Sequence, residues 1–169
     1  MSAIKLSFNQ EKALETIVYI SQSVHDLYHL LKIIYFADRK HLERYGRFIF
    51  GDEYVAMAKG PVPSGAYDII KYVKGENRFI QLPVAKDSIE INHNDVTPRR
   101  QANIDFFSVS DLKCLDESIK ENGYLSFGSL KNKSHDSAYE SADQNDFISI
   151  ESIAATMQDG DSIIEYLKN

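Results

Sequence analysis

The stretch "AMAKGPVPSGAYDIIK", residues 56–71, places two prolines and two glycines within six positions, between a strand-like run and a helix-like run. No other segment of the chain restricts its backbone as tightly. Pro61 and Pro63 have φ locked and offer no N–H, so Gly60-Pro61-Val62-Pro63 lacks half of the donors that a phosphate-cradling loop uses. The Lys followed by Ser or Thr that a Walker loop needs after its second glycine is also missing. The segment is expected to be a rigid chain reversal that holds a strand and a helix at a fixed angle, with Ser64 as the helix N-cap.

A chain of 169 residues that is 43% hydrophobic and 26% charged can bury one real core, so a single domain over 1–169 is expected. The longest apolar runs fall well short of the roughly 20 residues of a membrane span, and "MSAIKLSFNQ" lacks the apolar segment of a signal peptide. A cytoplasmic protein with no membrane partner is the expectation. Cys114 is the lone cysteine and reads as a small core or boundary residue rather than a nucleophile. The net charge of −6 is uneven: residues 1–92 hold 12 Lys+Arg against 11 Asp+Glu, and residues 93–169 hold 7 against 14. General nucleic-acid binding is disfavoured by that balance. Arg39, Lys40, Arg44 and Arg47 could form a phosphate-binding face, but cations at a solvated helix C-terminus also suit the helix dipole.

Periodicity and caps predict the elements. Ser7 and Gln10 form a capping-box pattern before the stripe Leu14, Ile17, Val18. Asp26 caps a long helix that ends at Gly46, with Leu27, Leu30, Leu31, Ile34, Leu42 and Tyr45 at helical spacing. "RFIFGDEYVAMA" is two strand-leaning runs with a hairpin or sharp bend at Gly51-Asp52, and a short helix follows the prolines as far as Gly75. "FIQL" and "SIEIN" are expected to complete a small antiparallel sheet. Ser108 with Asp111 caps a helix stopped by Gly123, Ser126 and Ser149 sit in hydrophobic staples, and Asp161 caps a last helix. The fold class is α+β, mostly helical, with a small antiparallel sheet.

Three constellations bear on chemistry. "HDLYH" places His25 and His29 around Asp26 in the manner of a zinc motif, but with Asp for Glu and with Asp26 needed as a cap; His135 or Glu140 would have to supply a third ligand. A metal-dependent hydrolase using His25, His29 and Asp38 is the alternative from the enzyme class. Asp38 lies on the apolar stripe of the long helix, where a carboxylate needs partners; backbone N–H groups near Gly60 to Ser64 are the expected donors, and His41 one turn on could share the site. "SHDSAY" is no triad, because sequential neighbours point apart. No catalytic set and no cofactor motif emerges.

"LLKIIYFADRKHLERYGRFIFGDEYVAMAKGPVPSGAYDIIK", Leu30 to Lys71, resembles the Panacea or SocA-like antitoxin domain, also found in phage-associated proteins. The pattern K-L-L-Y-F-A-D, H-L-x-x-Y-G, G-D-x-Y-V-A-M and G-P-V-P-S-x-x-Y-D is met block by block. Ser108 to Ala142 resembles the second half of that family, with Tyr139 where relatives often have Trp. The resemblance implies a binding module and no enzyme: an antitoxin that meets a toxin encoded next to it and neutralises it by occlusion or by delivery to a cellular protease. A prophage regulator that binds DNA is a further alternative. The resemblance makes Asp38, His41, Gly51, Asp52, Tyr54, Gly60, Pro61, Pro63, Ser64, Tyr67, Asp68, Ser134 and His135 the candidate scaffold or partner-binding positions.

Overall fold

The computed structural model describes residues 4–77 and 79–169. Helix α1 (Gln10–Ser21) starts at Asn9, whose side chain accepts from the Lys12 N–H at 3.0 Å. The cap expected at Ser7 is displaced because residues ahead of the helix run along the next segment: Asn9 N–H donates to the Phe50 carbonyl, and Gly51 (φ +74°) leaves no room for a Cβ against the Ser7 carbonyl. Helix α2 (Leu27–Tyr45) begins at Asp26 and ends at Gly46 (φ +78°), as expected. Its last stripe residue, Tyr45, is exposed rather than buried and lies against the His41 ring.

Strands β1 (Tyr54–Met57) and β2 (Gly60–Pro63) form an antiparallel hairpin around Ala58-Lys59. The reversal therefore comes just before the prolines. At Gly51-Asp52 the chain bends but makes no hairpin, and Phe48, Ile49 and Phe50 are buried without forming a strand. Two prolines fit in β2 for a clear reason. Ala56 uses its N–H and C=O on the far side, with Asp146 and Asn145, so Ala56 and Pro61 face each other as a non-hydrogen-bonded pair. Pro61, and Pro63 two residues on, thus turn their nitrogens to the outer edge, where no ladder donor is lost.

Helix α3 (Ser64–Val73) follows β2 directly. "FIQL" is not a strand: Pro83 ends that run and opens α4 (Val84–Ser88). β3 (Ile89–Asn92) and β4 (Asp95–Pro98) pair with each other in a separate two-stranded sheet. α5 (Val109–Asn122) has the reciprocal Ser108–Asp111 capping box and stops at Gly123. α6 (Phe127–Ser134) starts from Ser126 and is followed by α7 (Ser137–Glu140). β5 (Phe147–Ile148) joins the first sheet in the order β2-β1-β5, and α8 (Ile150–Ala154) is capped by Ser149. α9 (Gly160–Lys168) has Asp159 at its N-cap position, so Asp161 falls in the first turn instead of capping it.

α2 lies between two apolar clusters and ties them together. Leu30, Leu31 and Ile34 pack with Leu14, Ile17, Ile69, Ile70 and Cys114. Tyr35, Phe36 and Leu42 pack with Tyr54, Leu130, Ile148 and Ile153. The α+β class, helix-rich with small antiparallel sheets, is as expected. Among the described residues no helix is long and apolar enough to cross a membrane.

Candidate functional site

Two buried carboxylates hold the approach to the hairpin. Asp38 accepts from the Ile49 N–H at 2.7 Å and the Tyr54 hydroxyl at 2.6 Å, and it is wholly enclosed. Burial raises its pKa to about 7, against the opposing pull of those two donors. The expected contact with Gly60 to Ser64 is not made, because the donors there go to another acid. Asp52 accepts from the N–H groups of Glu53, Gly65 and Ala66, each at 2.8 Å. It caps α3 from outside the helix, so the N-cap role expected of Ser64 falls to a remote residue; Ser64 is the first helical residue and Pro63 occupies the cap position without a side-chain bond. Burial raises the Asp52 pKa to about 6.

The hairpin tip is clamped through its carbonyls. The Tyr139 hydroxyl donates to Met57 O at 2.6 Å, the Tyr28 hydroxyl to Lys59 O at 2.8 Å, and Lys32 Nζ to Pro61 O at 2.7 Å. Pro61 O is free to accept because its pair is the non-hydrogen-bonded one. Gly60 (φ +119°) is required here: a Cβ would stand 2.6 Å from Ser134 Oγ and 3.0 Å from Lys32 Cε. Tyr139 departs from the Trp of the resembled pattern but keeps one ring-borne donor, as an indole N–H would.

Beside the hairpin lies a groove of about 480 Å³, walled by Tyr28, Leu31, Met57, Val62, Tyr67 and Phe127. The Tyr28 and Phe127 rings approach to 4.4 Å, and Lys59 Nζ stands 5.6 Å from the Phe127 ring. Lys32 lines this groove and is 1% exposed. Burial lowers its pKa to about 7, and no carboxylate pairs with it among the described residues. Asp26, the acid on the rim, is engaged by the N–H and Nδ1 of His29. Tyr67 also carries Lys71 over its ring at 4.9 Å, and Asp68 pairs with Lys71 at 3.4 Å.

The remaining candidates are dispersed. His25 Nδ1 meets Val96 O at 3.1 Å, His29 Nε2 meets Leu125 O at 2.6 Å, and Asp38 faces the opposite end of α2. These three do not converge, and among the described residues no group of three His, Cys, Asp or Glu could hold a metal ion. His41 does not share the Asp38 site. Its Nδ1–H donates to Arg47 O and its Nε2 accepts from the Ser110 hydroxyl, both at 2.8 Å, while burial lowers its pKa. The Ser134 hydroxyl donates to Lys131 O, His135 lies against Tyr139 at 4.3 Å, and Asp136 caps α7, so "SHDSAY" is a helix junction. The cations Arg39, Lys40, Arg44 and Arg47 each meet an acid: Asp136, Glu121, Glu117 and Asp111.

Sequence reasoning missed Lys32, Tyr28 and Phe127. The available signal was positional: Tyr28, Lys32, Tyr35 and Arg39 share one face of α2, and a face with two tyrosines among two cations is amphipathic rather than simply solvated. All four are engaged, Tyr35 with Asp136 at 2.6 Å and Arg39 with Thr156 at 2.9 Å.

Among known families, the model described as antitoxin SocA-like, Panacea domain, matches residues 30–140, well over half of the chain. Neither the curated proteins nor the solved structures give a significant match.

Proposed function

The chain belongs to the SocA-like Panacea antitoxin family, and from that premise we propose that it is the neutralising member of a bacterial or prophage toxin–antitoxin pair. It binds, in the cytoplasm, a toxin encoded next to it. The match over residues 30–140 carries this reading. The geometry supports it in one respect: the candidate residues Asp38, Asp52, Tyr54 and Gly60 are spent on fixing a hairpin, which suits a preorganised binding surface. Steric occlusion needs this contact alone, whereas delivery to a protease adds a second partner. The acidic half, residues 93–169, attracts a basic toxin over long range and speeds its association.

Co-expression with the neighbouring reading frame tests the proposal. The neighbour's product is expected to stop growth alone, to be harmless beside this chain, and to co-elute with it. A product that stays toxic and elutes apart contradicts the reading. An association rate indifferent to salt removes the steering part alone.

A further inference from the structure

We propose that the groove beside the β1–β2 hairpin receives a carboxylate-bearing apolar segment of the bound partner, with Lys32 and Lys59 answering the carboxylate. This deepens the binding reading and rests on it for the partner's identity. The walls Tyr28, Met57, Val62 and Phe127 are apolar, and Phe127 remains 44% exposed, so a hydrophobic side chain gains by covering them. The two cations on the lining have no acidic partner among the described residues, in contrast to those at the other end of α2. The Lys32 amine donates to one carbonyl and stands 4.9 Å from the Tyr28 ring, which leaves donors that an incoming carboxylate can take.

Two features narrow the occupant. It does not enter as an added strand, because the outer edge of β2 presents prolines at 61 and 63 and its Pro61 carbonyl is already taken by Lys32. Recognition must run through side chains. A phosphate offers nothing to the apolar walls Tyr28, Met57, Val62 and Phe127, whereas an Asp or Glu beside a leucine or aromatic residue meets both the lysines and those walls.

The test uses the isolated protein with the peptide acetyl-Leu-Phe-Glu-Leu-amide and its Gln counterpart, followed by NMR. The Glu peptide is expected to shift signals of Tyr28, Met57 and Phe127 and to bind roughly tenfold more tightly than the Gln peptide. Lys32→Met should erase that preference while melting at or above the wild-type temperature, and Phe127→Ala should weaken both peptides alike. Equal binding of the two peptides, a preference that survives Lys32→Met, or no binding at the groove overturns the proposal. The peptide result is independent of co-elution with the toxin, so a groove that fails while the toxin binds is told apart from an antitoxin reading that fails while the groove binds.

Discussion

The two cationic regions of α2 differ in one decisive way. At its C-terminal end four cations crowd into nine residues, and each is answered: Arg39 by Asp136 at 3.4 Å, Lys40 by Glu121 at 3.0 Å, Arg44 by Glu117 at 2.6 Å and Arg47 by Asp111 at 3.0 Å. Two turns earlier Lys32 is buried beside the groove with one carbonyl and the Tyr28 ring as partners and, among the described residues, no acid. The dense cluster is the internally neutral part, formed to hold α5 and the α7 cap against α2. Lys32 is the cation of this helix that no acid answers among the described residues, and it is the one the proposed carboxylate would meet. Local density of charge in a sequence therefore says little about where a ligand binds; the partners folded against it decide.

The largest break in this comparison comes from removing an acid at the paired end. Asp111 is fully buried, caps α5, and pairs with Lys12 at 2.7 Å as well as Arg47. Asp111→Ala should cost about 3 kcal/mol in denaturant titration, since it leaves cations and the Ser108 N–H without their acceptor. Its pKa is lowered despite burial, through Lys12 and Ser108, so its contribution is present above the ordinary carboxylate range and is lost as pH falls through the folded value.

Asp38→Ala should cost less, about 2 kcal/mol, by stranding the Ile49 N–H and the Tyr54 hydroxyl while keeping the helix. Its pH dependence has the opposite sign. With the folded pKa raised to about 7, the native state holds the extra proton, so this stability is complete below the ordinary carboxylate range and is lost as pH rises toward 7. Asp38→Asn should flatten that slope, and an unchanged slope contradicts the burial argument.

Lys32→Met sharpens the contrast further. The folded pKa is lowered to about 7, so above that pH the unfolded chain binds more protons, and wild-type stability should rise from pH 7 toward 9. The variant should lack that rise, about 2 kcal/mol, and be no less stable than wild type at pH 6. The smallest effect is expected from Lys40→Ala. Its pairs with Glu121 and Glu117 lie at the surface, and the midpoint should move by at most about 0.5 kcal/mol.

Much of this fold is legible in local sequence. Asp26, Ser108, Ser126 and Ser149 cap the helices where their spacing says, and Gly46 and Gly123 end them, because capping is settled within four residues of chain. The misreadings share a cause: a distant segment took the role. Ser7 yields to Asn9 because Phe50 anchors the chain there, and Ser64 yields to Asp52 because the bend at Gly51 brings that carboxylate onto the α3 N–H groups. The groove was hidden for the same reason. Lys32 and Phe127 are far apart in sequence, and only the hairpin brings their surroundings together.

The central claim is that the unanswered end of α2, not the cation-rich end, meets the partner. Growth rescue measures it directly: the neighbouring product is co-expressed with wild type, with Lys32→Met and with Lys40→Ala, and thermal melts confirm that all three fold. The account predicts that wild type and Lys40→Ala restore growth and that Lys32→Met does so poorly or not at all. Rescue by Lys32→Met equal to that by Lys40→Ala would contradict it.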